Sequence, residues 1–412
     1  MKLLTRIPGA VTGLPLVLLC LTPLASAQEG FSVTALKDPV TGRSITRYQS
    51  PRHETHHYYF ISPWSPDEKR IAFFQFEQGV DKLTARGRFP GAIWVMDADG
   101  GNRRKLVDKL LGHYHVGVNL FWGPTGQYIY YSDVSSKRKC LPRVDAGTGK
   151  MDCIDTPFPC SRLSPDNQKL SCGTAAEFGV YDIKKAEYKR LVTVERALAL
   201  TPNKALAVGR RSQLPNNRFS PTGDKAIVVH RTAEDYPKLV EMFVYDFKTE
   251  QLTYLTHNLH HPAWRPDGKA VLFVRWDDDL KMQGLWEIDV NTLQEKPVFN
   301  KIHVPGVHAS YHPLKQHLVV IDCYGGEFGN GLAIVDLKKN EMIQLVTVPL
   351  GSKPEAAADD RFPFRNWGLF MPPQKYLNEP RPVWNKDGTK ILFTSEESGH
   401  MNMYVVDTSD LQ

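Results

Sequence analysis

Three features of this 412-residue sequence predict an all-β chain, a seven-bladed β-propeller closed by an N-terminal strand that completes the last blade. A turn signature recurs seven times. A strand ending in aspartate recurs in phase with it. The last repeat stops one strand short, while the N-terminal region carries a strand with no other role.

The signature is an aromatic or apolar residue, a spacer and a Pro-Asp-Gly-like turn leading into an alternating strand. In order, the copies are Trp64-Ser-Pro-Asp-Glu68, Trp122-Gly-Pro-Thr-Gly126, Leu163-Ser-Pro-Asp-Asn167, Phe219-Ser-Pro-Thr-Gly223, Trp264-Arg-Pro-Asp-Gly268, Tyr311-His-Pro-Leu-Lys315 and Trp384-Asn-Lys-Asp-Gly388. Proline presets the turn and glycine accepts its positive φ. Strands such as Arg70-Ile-Ala-Phe-Phe74 and Ala270-Val-Leu-Phe273 follow. The aromatic positions Trp64, Trp122, Trp264 and Trp384 are expected to pack between blades.

The second marker places aspartates at 97, 145, 182, 246, 289, 336 and 407, again seven. A fourth strand usually follows, as in Arg104-Lys-Leu-Val107. Four strands in each unit of roughly 40 to 70 residues is the spacing of propeller blades. After Asp407 only Thr-Ser-Asp-Leu-Gln412 remains, so the seventh unit has no fourth strand. Arg43-Ser-Ile-Thr-Arg-Tyr48, following the turn Asp38-Pro-Val-Thr-Gly42, is the strand that would supply it and cover an open edge.

Residues 1–27 read as a secretory signal: Lys2 and Arg6, the apolar stretch Leu14 to Leu21, and Ala25-Ser-Ala27 before the cut. The apolar run is too short to span a bilayer. The sequence therefore predicts residues 28–412 as a propeller that is secreted or periplasmic, without a membrane span, and monomeric. Cys140 and Cys153 flank one predicted hairpin turn, Cys160 and Cys172 another, and each pair is a candidate disulfide; Cys323 is left as a single buried thiol. No CxxC occurs, which argues against a cysteine–zinc site. The formal net charge of +6 is scattered, with no basic stripe interleaved with aromatics, so nucleic acid is not an expected partner. Neither a G-x-S-x-G elbow nor a phosphate-binding glycine loop is present.

The segments Lys37-Asp-Pro-Val-Thr-Gly-Arg-Ser-Ile-Thr-Arg47, His56-His-Tyr-Tyr-Phe60 and Trp64-Ser-Pro-Asp67 resemble oligogalacturonate lyases, and at repeat level the resemblance runs over nearly all of residues 28–412. TolB-type repeats are similar more loosely, and ulvan lyases look like distant relatives. The resemblance implies β-elimination on an acidic polysaccharide or oligosaccharide. That chemistry needs a cation to neutralise the uronate carboxylate, a base for the C5 proton and a proton for the leaving oxygen.

Rotational symmetry brings equivalent positions to one ring. Five residues before each turn proline (Lys386 in the last blade) stand Ile61, Asn119, Cys160, Asn216, His261, His308 and Arg381; nine before stand His57, His115 and His257. With 14 histidines in the chain, this concentration points to one channel mouth. The resemblance implies His261 as base and His308 as metal ligand. It also implies a histidine pair at the last blade, where Glu379-Pro-Arg381 stands instead. Manganese or another divalent metal held by His308 and Glu379 is thus one version of the site. A metal-free version, in which a guanidinium pairs with the carboxylate, is favoured here. Arg381 and Arg231 are the catalytic arginines expected, with Arg218 competing for the second place and His115 as an alternative base. His57 and Asn216 are expected at the substrate. The long insertion before the last blade, with Arg361, Arg365 and Trp367, is expected to wall the cleft. The alternative to a lyase is a non-catalytic TolB-type propeller binding protein or peptide. A propeller glycosidase ranks last, because Glu379 has no evident carboxylate partner.

Overall fold

Alternation along the second strand of each blade decides what it packs against. On Lys225–Thr232, Ala226 and Val228 join Phe178 and Val180 on one side, while Ile227 and Val229 join Val271 and Phe273 on the other. The period-two rule thus makes every blade two-faced, and hydrophobic on both faces. Repeated seven times, this leaves seven buried apolar layers, one in each gap between neighbouring blades.

The structure is a computed structural model that describes residues 30–77, 88–113, 116–132, 139–157, 159–209, 211–232, 240–277, 282–301, 308–324, 330–347 and 380–411; of 206, 216, 282, 323, 324 and 330 it describes the backbone alone. Seven antiparallel sheets follow one another, six of four strands and one of five. Blade one runs from Glu54–Thr55 outward to Arg104–His113, and blade two from Leu120–Trp122 to Met151–Asp155. The innermost strands of blades three to seven are Cys160–Leu163, Ser212–Phe219, Leu259–Trp264, Ala309–Tyr311 and Val383–Trp384.

Blade seven closes the ring as the sequence predicts. Ser44–Gln49 pairs antiparallel with Asn402–Asp407, with Ile45 opposite Val406 and Tyr48 opposite Met403. A fifth strand, Ser32–Lys37, one more than the repeat requires, then covers Ser44–Gln49. The intervening turn is fastened to blade six, because Asp38 Oδ2 accepts from Thr347 N at 2.7 Å and Thr41 Oγ1 donates to the Leu345 carbonyl at 3.0 Å. A short helix, Val194–Leu200, capped by Thr193, also went unforeseen between blades three and four.

The repeat aromatics work between blades. Trp122 Nε1 donates to the Pro63 carbonyl at 2.8 Å, Trp264 Nε1 to Arg218 at 3.2 Å and Trp384 Nε1 to Ser310 at 3.3 Å. In each case the acceptor immediately precedes the aromatic of the blade before. The strand-end aspartates hold turns; Asp145, Asp246 and Asp289 each accept two backbone N–H groups.

Register settles the cysteines. Cys160 stands directly opposite Cys172 and the two are joined. Cys140 stands opposite Asp155, and Cys153 opposite Pro142, so that pair lies diagonally and no disulfide joins it. No helix of the described residues is long and apolar enough to cross a membrane.

Candidate active site

Between Thr55 and Trp64 the chain leaves blade one and enters the propeller axis. Its side chains touch inner elements all round the ring. Ile61 packs with Phe121 of blade two and Cys160 of blade three. The Arg162 guanidinium of blade three lies over Phe60 at 4.2 Å, and Arg218 of blade four over the same ring at 3.5 Å. Tyr59 Oη donates to the Pro262 carbonyl of blade five at 2.9 Å. Arg381, just before the first strand of blade seven, donates from Nη1 to the His57 carbonyl at 2.8 Å. A segment of one blade that meets all the others occupies the axis, so His56–Phe60 fills this end of the channel.

Tyr58 sits at the centre of the polar contacts. Its hydroxyl lies 2.8 Å from His261 Nε2 and 2.9 Å from His308 Nε2. His261 and His308 face each other, with ring centroids 4.1 Å apart. Behind them stands Asp322, wholly buried, which accepts from His308 N at 2.6 Å, lies 2.8 Å from His308 Nδ1, and accepts from Arg381 N at 3.2 Å. A carboxylate can only accept, so His308 Nδ1 carries the proton and Nε2 accepts from the Tyr58 hydroxyl. The Tyr58 oxygen then accepts from His261 Nε2–H, which leaves the lone pair of His261 on Nδ1. Asp322, His308, Tyr58 and His261 form one directed chain.

The backbone delivering these groups is unusual. His261 has φ +49° and Arg381 φ +48°, a left-handed conformation that non-glycine residues seldom adopt. In Leu259–Trp264 the register slips between His260 and Ala263, a bulge that re-aims His261. Strain of this kind persists where the surroundings impose it.

Cations crowd the same end. Burial and the neighbouring Arg218 charge pull the Arg162 guanidinium well below its ordinary range. Arg218 is buried, donates to the Pro262 carbonyl, and donates to Tyr59 Oη at 3.2 Å. Neither arginine has a carboxylate partner among the described residues. Burial, then the Arg162 and Arg381 charges, hold His57 down to about 3, and burial followed by Arg381 takes His56 well below its ordinary value. The His57 imidazole is therefore neutral near pH 7.

Thus His261, His308, Arg381 and His57 do converge on one channel end. Arg381 is fully buried, however, and its guanidinium bonds the His57 carbonyl and Thr55 Oγ1 rather than opening to a ligand. Arg231 lies on the second strand of blade four, opposite Gln213 and Val240, whereas the competing Arg218 lies on the inner strand and reaches Tyr59. Asn216 lies on that inner strand opposite Val229, its side chain outside the description. The histidine spacing misplaces His257, which ends the outermost strand of blade four with its Nδ1 3.0 Å from Tyr254 Oη. His115, Arg361, Arg365, Trp367 and Glu379 lie outside the described residues, as do residues 1–27, the expected secretory signal. Sequence reasoning missed Tyr58, Asp322 and Arg162, although Tyr58 lies inside the His56–Phe60 motif that carries the resemblance.

No family model and no curated protein matches the chain. Among solved structures, an oligogalacturonate lyase in complex with manganese aligns with TM-score 0.67 at 15% identity, covering 92% of this chain and 96% of that one. The oligogalacturonate lyase of Vibrio parahaemolyticus aligns with TM-score 0.65 at 14% identity over 92% and 97%. TolB from Acinetobacter baumannii reaches only TM-score 0.41 at 14% identity over 83% and 64%. The likeness is one of fold, a seven-bladed propeller built like that of the oligogalacturonate lyases along nearly the whole of both chains.

Proposed function

We propose that this chain cleaves a uronate-containing glycan by β-elimination at the axial site. The observation that carries the reading is two guanidiniums, Arg162 and Arg218, without carboxylate partners among the described residues, beside a hydrogen-bonded histidine–tyrosine–histidine chain. Guanidiniums suit a planar carboxylate, and neutralising it acidifies the adjacent C–H.

In this reading the half-buried Arg162 binds the uronate carboxylate and the buried Arg218 adds its charge from behind, taking the part the sequence gives to Arg231 and Arg381. His261 Nδ1 removes the C5 proton, and the C4–oxygen bond breaks as the C4–C5 double bond forms. The imidazolium so formed passes its Nε2 proton to Tyr58, whose own hydroxyl proton turns from His308 Nε2 to the leaving oxygen. One proton leaves carbon and one reaches oxygen, so the protein's charge is unchanged; His261 is left protonated on Nδ1, and exchange with water returns it to the Nε2–H form before the next turnover. Asp322 and His308 orient Tyr58, and Arg381 positions His57 and Asp322 without touching substrate.

A divalent metal does not fit the residues around His308. Both its ring nitrogens are engaged, it has no exposed surface, and residue 381 is a guanidinium. No step is therefore routed through a metal.

The test is incubation with pectic oligomers, ulvan and related uronate polymers, following the ultraviolet absorbance of the unsaturated product. Product from the wild type and from His317→Ala, but not from His261→Ala, is expected. Silence across the panel defeats the reading. Activity is expected to survive exhaustive chelation, and its loss there would defeat the metal-free version alone.

A further inference from the structure

At the outer edge of blade two, its two outermost strands bring together three groups that the lyase reading leaves unused. Cys140, on Cys140–Asp145, stands directly opposite Asp155, on Met151–Asp155. Cys153 is two residues from Asp155 and therefore on the same face. The two sulfurs and a carboxylate oxygen all lie within 4.8 Å of one another. They are the one such group of three among the described residues. Both cysteines are half-buried and Asp155 is exposed, so the three ligands form a cup open to solvent.

We propose that Cys140, Cys153 and Asp155 bind a zinc-class divalent cation. Bonds of about 2.3 Å to sulfur and about 2.1 Å to oxygen set ligand separations of about 3.8 Å or less around a tetrahedral ion. The present spacing, within 4.8 Å, exceeds that value by about 1 Å at most. Paired thiolates select zinc or a softer ion over manganese, magnesium or calcium. Each thiol releases a proton as its sulfur binds, the carboxylate supplies the third bond, and water from the open side supplies the fourth. The ion would fasten the outermost strand of blade two to its neighbour.

Register explains why this hairpin differs from the next. Cys160 and Cys172 are directly opposite and bond to each other, whereas here a carboxylate takes the position opposite Cys140 and the second sulfur lies diagonally. The absence of CxxC does not weigh against such a site, because its ligands come from two strands.

The experiment uses the full chain, purified under a non-chelating phosphine reductant and titrated with Co²⁺. One equivalent is expected to give sulfur-to-metal charge-transfer absorption that Zn²⁺ abolishes by displacement. Cys140→Ser/Cys153→Ser is expected to remove the band. Asp155→Asn, which keeps the strand pairing intact, is expected to weaken Zn²⁺ at least tenfold, and His308→Ala to leave the band unchanged. Zn²⁺ should raise the thermal midpoint of the wild type and not of the double variant. No sulfur band in the reduced wild type, or a band that persists in the double variant, overturns the proposal. So does a thiol count showing Cys140 and Cys153 joined in the exported protein. None of these outcomes depends on uronate cleavage.

Discussion

His308 has no exposed surface, and its two nitrogens face Asp322 and Tyr58. A side chain in that position cannot meet a glycan. It can fix the direction in which the Tyr58 hydroxyl points. Tyr58 is half-buried, and in the proposed reaction it is where the chain of hydrogen bonds meets the glycan. Tyr58→Phe keeps the ring packing against Tyr59 and the histidines while deleting the proton. It is expected to lower turnover by about 10²-fold or more with little change in KM, since proton transfer contributes roughly 10²–10⁴-fold. Steady-state kinetics and a thermal melt check it: an equal loss in both would mark a packing residue. His261 and His308 were legible in the sequence because rotational equivalence carries distant residues to one ring. Tyr58 was not, since it lies in a segment with no counterpart in other blades. Asp322 escaped notice because it stands on a second strand, where the pattern announces only packing.

At the scale of elements, the segment that fills the axis is anchored by buried charge. Glu54, with no exposed surface, accepts from Arg103 Nη1 at 3.2 Å and from Gln75 Nε2 at 2.6 Å. Arg103 in turn lies over the rings of Phe31, Phe73 and Trp94. Glu54→Ala strands that guanidinium without its partner and is expected to cost about 3–5 kcal/mol, measurable by denaturant unfolding. A loss under about 1 kcal/mol would show that the aromatic rings alone suffice. The blade strands could be read from alternation and turn chemistry. Val194–Leu200 and Ser32–Lys37 could not, because one is a single short helix outside the repeat and the other is a strand beyond the four that the repeat requires.

The whole molecule should be acid-sensitive through histidines that fold neutral. Burial, with the charge of His400, holds His53 to about 3, and His57 is held to a similar value. Unfolded, each titrates near its ordinary 6.5. Between those values the unfolded chain binds protons that the folded chain refuses, so stability is full above about 6.5 and falls as pH drops toward 3. Each such histidine contributes a slope of about 1.4 kcal/mol per pH unit. Thermal midpoints measured across that window are expected to fall steadily, and His53→Gln to flatten the fall. An unchanged slope in that variant would exclude His53 as a source.

Blade seven joins strands from opposite ends of the chain, with Ile45 opposite Val406. No strand pairing among the described residues spans more of the sequence, and pairing at that separation carries a large loop-closure entropy. The other blades can dock as they emerge during synthesis, but this junction must wait for Asn402–Asp407. Until then Ser44–Gln49 and the edge of the incomplete sheet are both bare, and a second copy can offer the same strand to either. Dilution and prompt arrival of Asn402–Asp407 therefore favour closure within one copy, whereas a delay before that strand invites exchange of Ser44–Gln49 between copies.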